Sequence, residues 1–521
     1  MNTRNQIYGT YAIKILIAVL ILILSGFLFL RLDASRHRSH SLSRITKKTL
    51  RELEDRVVVK VFASAELPGE FGTLNRTLKD MLQEFQNVSR GKLKFEYARA
   101  SDPEELADEA MQYNIPQIPL TIFEKDRMVS KNIVFGIGFE GMGKSAAMTL
   151  RPGMEQMLEY QLVKQINKLQ RSKLPELTVF ADSLALLSQY SIYPDQLATF
   201  FLELEENYEV QHTNLLTAPK QSPVMLCLGV VDSLSTLQLY HLDQYIMAGG
   251  KVVMLQDRAL VSYVQQGTAV VEIYSSLFKM LEHYGILIKP NIVLDQDCEI
   301  GMLPGQGGQI PYPFFPHLQP VARIPYTSGF ENIVMNLASE LALMPGTKLN
   351  MEPVLQTSGK SNILLGPWFN LDEAVKTALE PGSLEMPPIP VAAEFSGPFK
   401  SYFNHALTDS TFHASSDSSR IILFADSDFN LEFGSGGAYI ILNAVDHLLG
   451  RNDMVKLRSF RSSYNRLGAD VYLNKRGRQV ADPAREMSRL GSIFKLSAIV
   501  LPLLLLAFVG LISMGKARER S

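Results

Sequence analysis

Two runs of apolar residues stand apart from the rest of the chain, residues 11–30 (YAIKILIAVLILILSGFLFL) and 496–515 (LSAIVLPLLLLAFVGLISMG). A helix rising about 1.5 Å per residue needs roughly twenty residues to cross a hydrocarbon core of about 30 Å. Both runs reach that length. The second carries no charge, and in the first Lys14 lies near one end, where its stem can follow the span while its ammonium reaches water. Each is predicted to be a transmembrane helix. The residues between them read as a water-facing body, pinned to a bilayer at both ends with both termini on one side. The sequence after the first run, Leu30-Arg31-Leu32-Asp33, offers no small-x-small cleavage site, so the run reads as an uncleaved anchor.

Within the body the pattern changes several times. Residues 31–56 form a polar, basic juxtamembrane segment, in which Ile45, Leu50 and Leu53 follow Ser43 at roughly helical spacing. Val57 to Ala63 (VVVKVFA) reads as a strand. Leu74, Leu78, Met81, Leu82 and Phe85 share one face of a helix predicted over 73–86. Leu93, Phe95 and Tyr97 alternate with charged residues in a second strand. A short helix over 104–113, the step Ile118-Pro119, a strand over 120–123 and an extended run over 132–139 follow. This order over 57–153 resembles a thioredoxin-like α/β domain, with Ile118-Pro119 where that fold often has a cis-proline. The segment after the first strand, Ser64-Ala65-Glu66-Leu67-Pro68, holds no cysteine, so no thiolate is there to attack a disulfide.

A helix over 154–169, with Leu158, Leu162, Ile166 and Leu169 on one face, leads into an alternation of strands and helices. Near-continuous apolar strands are predicted at 177–181, 224–230, 252–256 and 420–425, and helices at 194–206, 235–247, about 269–284 and 437–449. Such strands between amphipathic helices imply a parallel sheet covered on both faces. Residues 154–450 are therefore one α/β domain with Pro/Gly-rich insertions, chiefly 302–320 and 381–390, both read as loops. Residues 451–495 are polar and basic and return the chain to the second apolar run.

Composition narrows the function classes. A net charge of −2 leaves no nucleic-acid footprint. Two cysteines, Cys227 and Cys298, exclude a disulfide framework and a cysteine-built zinc site. The nine histidines include no His-Glu-x-x-His pair. The loop charges, with Arg31, Arg36, Arg38, Arg44, Lys47, Lys48 and Arg51 behind the first span, taken literally place the body in the cytoplasm, although this rule is weak for long translocated domains.

Three sequence features invite chemistry. Gly138-Phe-Glu-Gly-Met-Gly143-Lys144-Ser145 satisfies the phosphate-loop pattern, with Gly143, Lys144 and Ser145 as the candidate phosphate site. That loop works by opening a helix whose amides point at the phosphates. Pro152, seven residues on, truncates any such helix, and alternation through Val134, Gly136 and Gly138 favours a β-hairpin. Asp426 and Asp428 follow a predicted strand and are candidate cation ligands at a sheet's carboxyl edge. Cys227 lies inside a predicted strand rather than at a nucleophile elbow and reads as a core residue.

Several short segments, taken in order, resemble a known family. They are Leu32-Asp33, His40-Ser41-Leu42-Ser43 with Thr46, Leu158-Glu159-Tyr160, Leu242-Asp243-Gln244-Tyr245 before Gly249-Gly250-Lys251, Leu355-Gln356-Thr357-Ser358, Glu394-Phe395-Ser396-Gly397-Pro398-Phe399, Phe424-Ala425-Asp426-Ser427-Asp428-Phe429 and Asn443-Ala444-Val445-Asp446-His447-Leu448. With the two terminal spans they resemble the GldG-like auxiliary component of gliding-motility-type ABC transporter systems. The resemblance implies a glutamine-amidotransferase-like central domain without its nucleophile. It implies no cofactor, and an ABC permease and a separate ATPase as partners. It also implies a two-pass protein of the bacterial inner membrane, with both termini cytoplasmic and the body periplasmic. The expected function is a non-enzymatic membrane-anchored transport subunit; the alternatives are a membrane-bound NTPase or hydrolase using Lys144 and Ser145, and an envelope scaffold.

Overall fold

The computed structural model describes residues 42–459, apart from 101, 125–126, 171–172, 221, 265–266, 303–308, 322–323, 381, 409–410 and 435. The apolar runs 11–30 and 496–515, and all but the first residues of the segment 451–495, lie outside them. Among the described residues no helix is long and apolar enough to cross a membrane.

The valine-rich run β1 (Val57–Ala63) lies at the centre of the first sheet. β2 (Leu93–Tyr97) lies parallel to it, with Val57 opposite Leu93. β3 (Phe135–Gly141) lies antiparallel on its other side, with Val59 opposite Phe139, and pairs in turn with β4 (Lys144–Thr149). The order is β2-β1-β3-β4. Helix Gly69–Val88 covers the sheet through Phe71, Leu74, Leu78, Met81, Leu82 and Phe85. Its apolar stripe is the predicted one, with the helix a turn longer at its start. Ile118–Glu124 and Arg127–Ile133 form a hairpin of their own. The Ile118–Pro119 bond is not cis; the cis bond among the described residues is Gly366–Pro367.

The second sheet has ten strands. Its parallel half is β5 (Glu176–Ala181), β6 (Glu209–Thr213), β7 (Val224–Leu228), β8 (Lys251–Leu255) and β13 (Arg420–Phe424), in the order β6-β5-β7-β8-β13. Every residue of β7 is buried, as expected for a strand covered on both faces. The antiparallel half adds β9 (Cys298–Met302), β10 (Gln309–Pro320), β11 (Asn350–Gln356) and β12 (Pro390–Ser396), with β12 beside β13. Ile333–Val334 pairs off β10 to complete the ten.

Two expectations change here. Residues 302–320 were expected to be a loop, yet Gln309–Pro320 is a twelve-residue strand. Its prolines are tolerated because it lies near the sheet's far end, pairs with β11 over two residues only, and meets β9 across a bulge at Cys298/Glu299. The predicted helix over 269–284 splits. Ala259–Val264 and Gly267–Glu272 form a hairpin, and the helix starts at Ser276. Thr268, Val270 and Val271 are β-branched and suit a strand better than a helix.

Candidate functional site

The two edges of the parallel strands carry different chemistry. At the carboxyl edge, β8 runs into Gln256 and Asp257, and its neighbour β13 runs into Asp426, Ser427 and Asp428. Parallel pairing of two apolar strands that both end in aspartate brings these carboxyls together. The Ser427 amide donates to Asp257 Oδ1 at 2.7 Å, and its hydroxyl donates to the other oxygen of the same carboxyl. Asp426 Oδ2 accepts from the Asn336 amide at 2.6 Å and Oδ1 from the Asp428 amide at 2.8 Å. Gln189 Nε2 donates to Ser427 O at 2.8 Å, tying helix Ser183–Ile192 to the turn.

Three carboxyls in one poorly hydrated place cannot all ionise freely. Burial, helped by Asp428, pushes the Asp257 carboxyl up to about 7. Burial and the other two aspartates hold Asp426 well above the usual carboxylate range. Asp428 is raised by burial, with a bond from Gln189 opposing it. The sequence-predicted pair Asp426 and Asp428 thus gains Asp257, Gln189 and Asn336. Among the described residues no group of three or more His, Cys, Asp or Glu side chains is placed to hold a metal ion.

The phosphate-loop pattern lies elsewhere. Gly138–Ser145 spans the β3–β4 hairpin, with Gly141 paired to Lys144 and Met142-Gly143 at the turn. Both turn residues have positive φ, 54° and 72°, as a two-residue hairpin turn requires. No helix follows Ser145, so no row of amides converges on a phosphate. Cys227 is buried in β7, and burial pushes its thiol up to about 12, where it is no nucleophile.

The amino edge holds a buried polar network where the chain comes in and leaves. Helix Leu158–Gln170 connects the two sheets and is buried on nearly all sides, including Glu159, Gln161, Lys164 and Gln165. Each charge has a partner. Glu159 Oε1 accepts from the Ser43 amide at 2.8 Å and from the Thr46 hydroxyl. That holds the start of helix Arg44–Arg51, which Ser43 caps. Lys164 pairs with Glu203 at 3.0 Å and Glu206 at 2.6 Å on helix Pro194–Asn207.

On the leaving side, helix Gly437–Leu448 runs back from the carboxyl edge, and Leu448 O accepts from Lys251 Nζ at the start of β8 at 2.9 Å. Helix Asn452–Ser459 follows and buries Arg458 completely. Its guanidinium reaches Asp446 Oδ2 at 2.6 Å, Asn443 Oδ1 at 3.1 Å and Asn207 Oδ1 at 3.2 Å, and lies 5.0 Å from the Tyr160 ring centre. Arg451 Nη1 stands 2.8 Å from the other Asp446 oxygen. Leu42, Leu50 and Leu53 from the incoming side and Met454 and Leu457 from the leaving side share one apolar cluster with Leu158 and Leu162. The incoming and leaving helices therefore pack together on one connector.

The family-like segments Ser43/Thr46, Leu158-Glu159-Tyr160 and Asn443–Leu448 meet in this clasp. Arg458 was not singled out from the sequence, where one arginine in a basic stretch carries no signal. Replacing Glu159 with alanine is expected to strip the Ser43 amide and the Thr46 hydroxyl of their acceptor. That costs about 2 kcal/mol and makes the amides of 44–51 exchange hydrogen faster than in wild type. Glu159→Gln, which keeps an acceptor there, should leave most of their protection in place.

A cleft of about 610 Å³ also opens at the amino edge, beside Pro223, Gly249 and Gly250. Its polar wall is already engaged: His241 Nδ1 is 2.8 Å from Leu215 O, Tyr245 OH donates to Ser222 O at 2.8 Å, and Gln244 bonds the His413 backbone on both sides of its amide. Gly250 is required here, since a Cβ would stand 2.4 Å from the Tyr245 ring.

Residues 172–431 match a family model described as an ABC-type uncharacterized transport system, which supports an auxiliary component of such a system. Residues 36–140 match a second model, described as a domain of unknown function. A protein of Borreliella burgdorferi, itself described as uncharacterized, is 21% identical over 297 residues, and the chain spans 57% of the length of that curated relative. The mmIFT52 N-terminal domain aligns over 52% of this chain and 96% of its own at 11% identity, with a TM-score of 0.30. A ThuA-like protein from Bacteroides uniformis aligns over 54% of this chain and 93% of its own at 14% identity, with a TM-score of 0.29.

Proposed function

We propose that the protein is a non-enzymatic, membrane-anchored auxiliary subunit of an ABC-type transport assembly, of the GldG-like kind. The two apolar runs are its spans in a bacterial inner membrane, with both termini cytoplasmic and the body periplasmic. The spans dock beside an ABC permease that binds a separate ATPase, and the body meets substrate or a partner. The observation that carries this reading, beside the family match over 172–431, is the clasp: the segments leading to the two apolar runs leave the body side by side. Helices that leave the body side by side suit two spans that enter one bilayer, so the arrangement supports the reading. The strand order β2-β1-β3-β4 supports a thioredoxin-like first domain, and the parallel half of the second sheet supports an amidotransferase-like one. Thiol chemistry has no place in either, with Cys227 and Cys298 both buried and their thiols pushed up.

The test is to tag the carboxyl end, extract the full chain in mild detergent and identify what co-purifies by mass spectrometry. A permease and an ATPase in stoichiometric amounts are expected. Recovery of the chain alone, or with envelope proteins only, would sink the transporter reading.

A further inference from the structure

The incoming helix Arg44–Arg51 has two unlike faces. Thr46 and Leu50 are buried against the body. Arg44, Lys48 and Arg51, spaced four and three apart, are all exposed and share the opposite face. The helix contains no acidic residue. The leaving helix Asn452–Ser459 packs beside it and exposes Lys456, with the acid Asp453 exposed one turn earlier on the same helix. The exposed acids Glu52, Glu54 and Asp55 come after the helix, in the segment that carries the chain into β1.

The chain that precedes this helix is rich in the same charge. Residues 31–43 hold Arg31, Arg36 and Arg38 against Asp33. They are also all that separates the helix from the apolar run 11–30. At about 3.5 Å per extended residue they allow a reach of no more than ~45 Å. Surface lysines and arginines on a protein body normally mix with acids. A one-signed helix face close to a bilayer is what attraction to negatively charged lipid produces, each basic group near such a surface contributing about fivefold in affinity.

We propose that the face formed by Arg44, Lys48, Arg51 and Lys456 rests on the anionic phospholipid headgroups of the bilayer that holds the two spans. The clasp then fixes the body's tilt relative to the membrane, because both helices bearing the charges are locked to helix Leu158–Gln170. This inference rests on the membrane-anchored reading above, and its test separates the two.

The full chain is reconstituted in nanodiscs of phosphatidylcholine alone and of phosphatidylcholine with phosphatidylglycerol, and lysine acetylation is followed by mass spectrometry. Lys48 and Lys456 are expected to be labelled at least about threefold more slowly in the anionic discs. Lys279, exposed on helix Ser276–Tyr284, which packs against neither of the two charged helices, serves as the unchanged reference. High salt should abolish the difference, because the attraction is screened beyond a Debye length. The triple variant Arg44→Glu, Lys48→Glu, Arg51→Glu should abolish it at Lys456 while melting like wild type; Arg44→Gln, Lys48→Gln, Arg51→Gln does the same job if charge reversal disturbs folding. Equal labelling in both kinds of disc, with the protein co-eluting with the discs, overturns this inference and leaves the spans standing. A chain that does not enter discs at all overturns both.

Discussion

Asp446→Ala is expected to lower the melting temperature of the body by about 5–10 °C, corresponding to roughly 3–5 kcal/mol. The carboxyl is fully buried between two guanidiniums, Arg458 at 2.6 Å and Arg451 at 2.8 Å. Its removal leaves Arg458, also fully buried, with neutral acceptors, the amide oxygens of Asn443 and Asn207 and the Tyr160 hydroxyl. A buried cation without its anion is the costly case; a well-packed apolar replacement of both partners is not. Arg458→Met combined with Asp446→Leu should therefore recover most of what either of these changes alone loses, and a double-mutant cycle over wild type, Asp446→Leu, Arg458→Met and the double variant should give a coupling of at least about 1 kcal/mol. Arg458→Met alone should cost less than Asp446→Ala, because Arg451 remains to pair Asp446. The same variants report on the clasp. In Asp446→Ala the leaving helix Asn452–Ser459 loses its anchor, and limited proteolysis should cut at or near it while the parallel sheet stays resistant. Additive single-mutant effects in the cycle would mean that the pair does not hold the leaving helix.

The apolar patterns that were legible in the sequence are those whose period reflects local geometry. The strands over 224–230, 252–256 and 420–425 and the helix over 235–247 appear within a residue or two of their predicted places, because a strand buried on both faces and an amphipathic helix each write their environment into adjacent residues. The antiparallel half of the second sheet was not legible. Its strands are short or rich in proline, and their pairing depends on partners far along the chain rather than on period. The family-like segments were visible without their purpose. Asp243 accepts from Tyr284, Ser401 and the Tyr402 amide, and Thr357 bonds the Ile389 backbone at both its amide and its hydroxyl. These residues brace one segment against another and touch no open site. At the carboxyl edge Asp426 and Asp428 announced themselves by following an apolar strand. Their company did not: Asp257 is 170 positions from Ser427, and only the adjacency of β8 and β13 makes them neighbours.

That adjacency makes the stability of the body depend on pH in a direction opposite to the usual one for carboxylates. Asp257, Asp426 and Asp428 all have folded-state values above their ordinary value near 3.8, with Asp257 at about 7. In the window between those values the folded protein holds protons that the unfolded chain has released. Unfolding then releases protons, so their contribution to stability is full below about pH 4 and is lost as pH rises through 7. Melting temperature should fall between pH 5 and 8, and Asp257→Asn should flatten part of that fall. Asparagine can still accept from the Ser427 amide through its oxygen and donate to the Ser427 hydroxyl through its nitrogen, so both bonds survive with one reversed. At pH 8 the variant is expected to be more stable than wild type by on the order of 2 kcal/mol. That is less than the roughly 4 kcal/mol of the full shift, because Asp257 keeps some contact with water. At pH 4 the two should melt together. Melting curves of both proteins across this range decide the matter. A variant that is destabilised by the same amount at every pH would mean that the ionised Asp257 is comfortable where it stands, and that the three carboxyls do not share their protons.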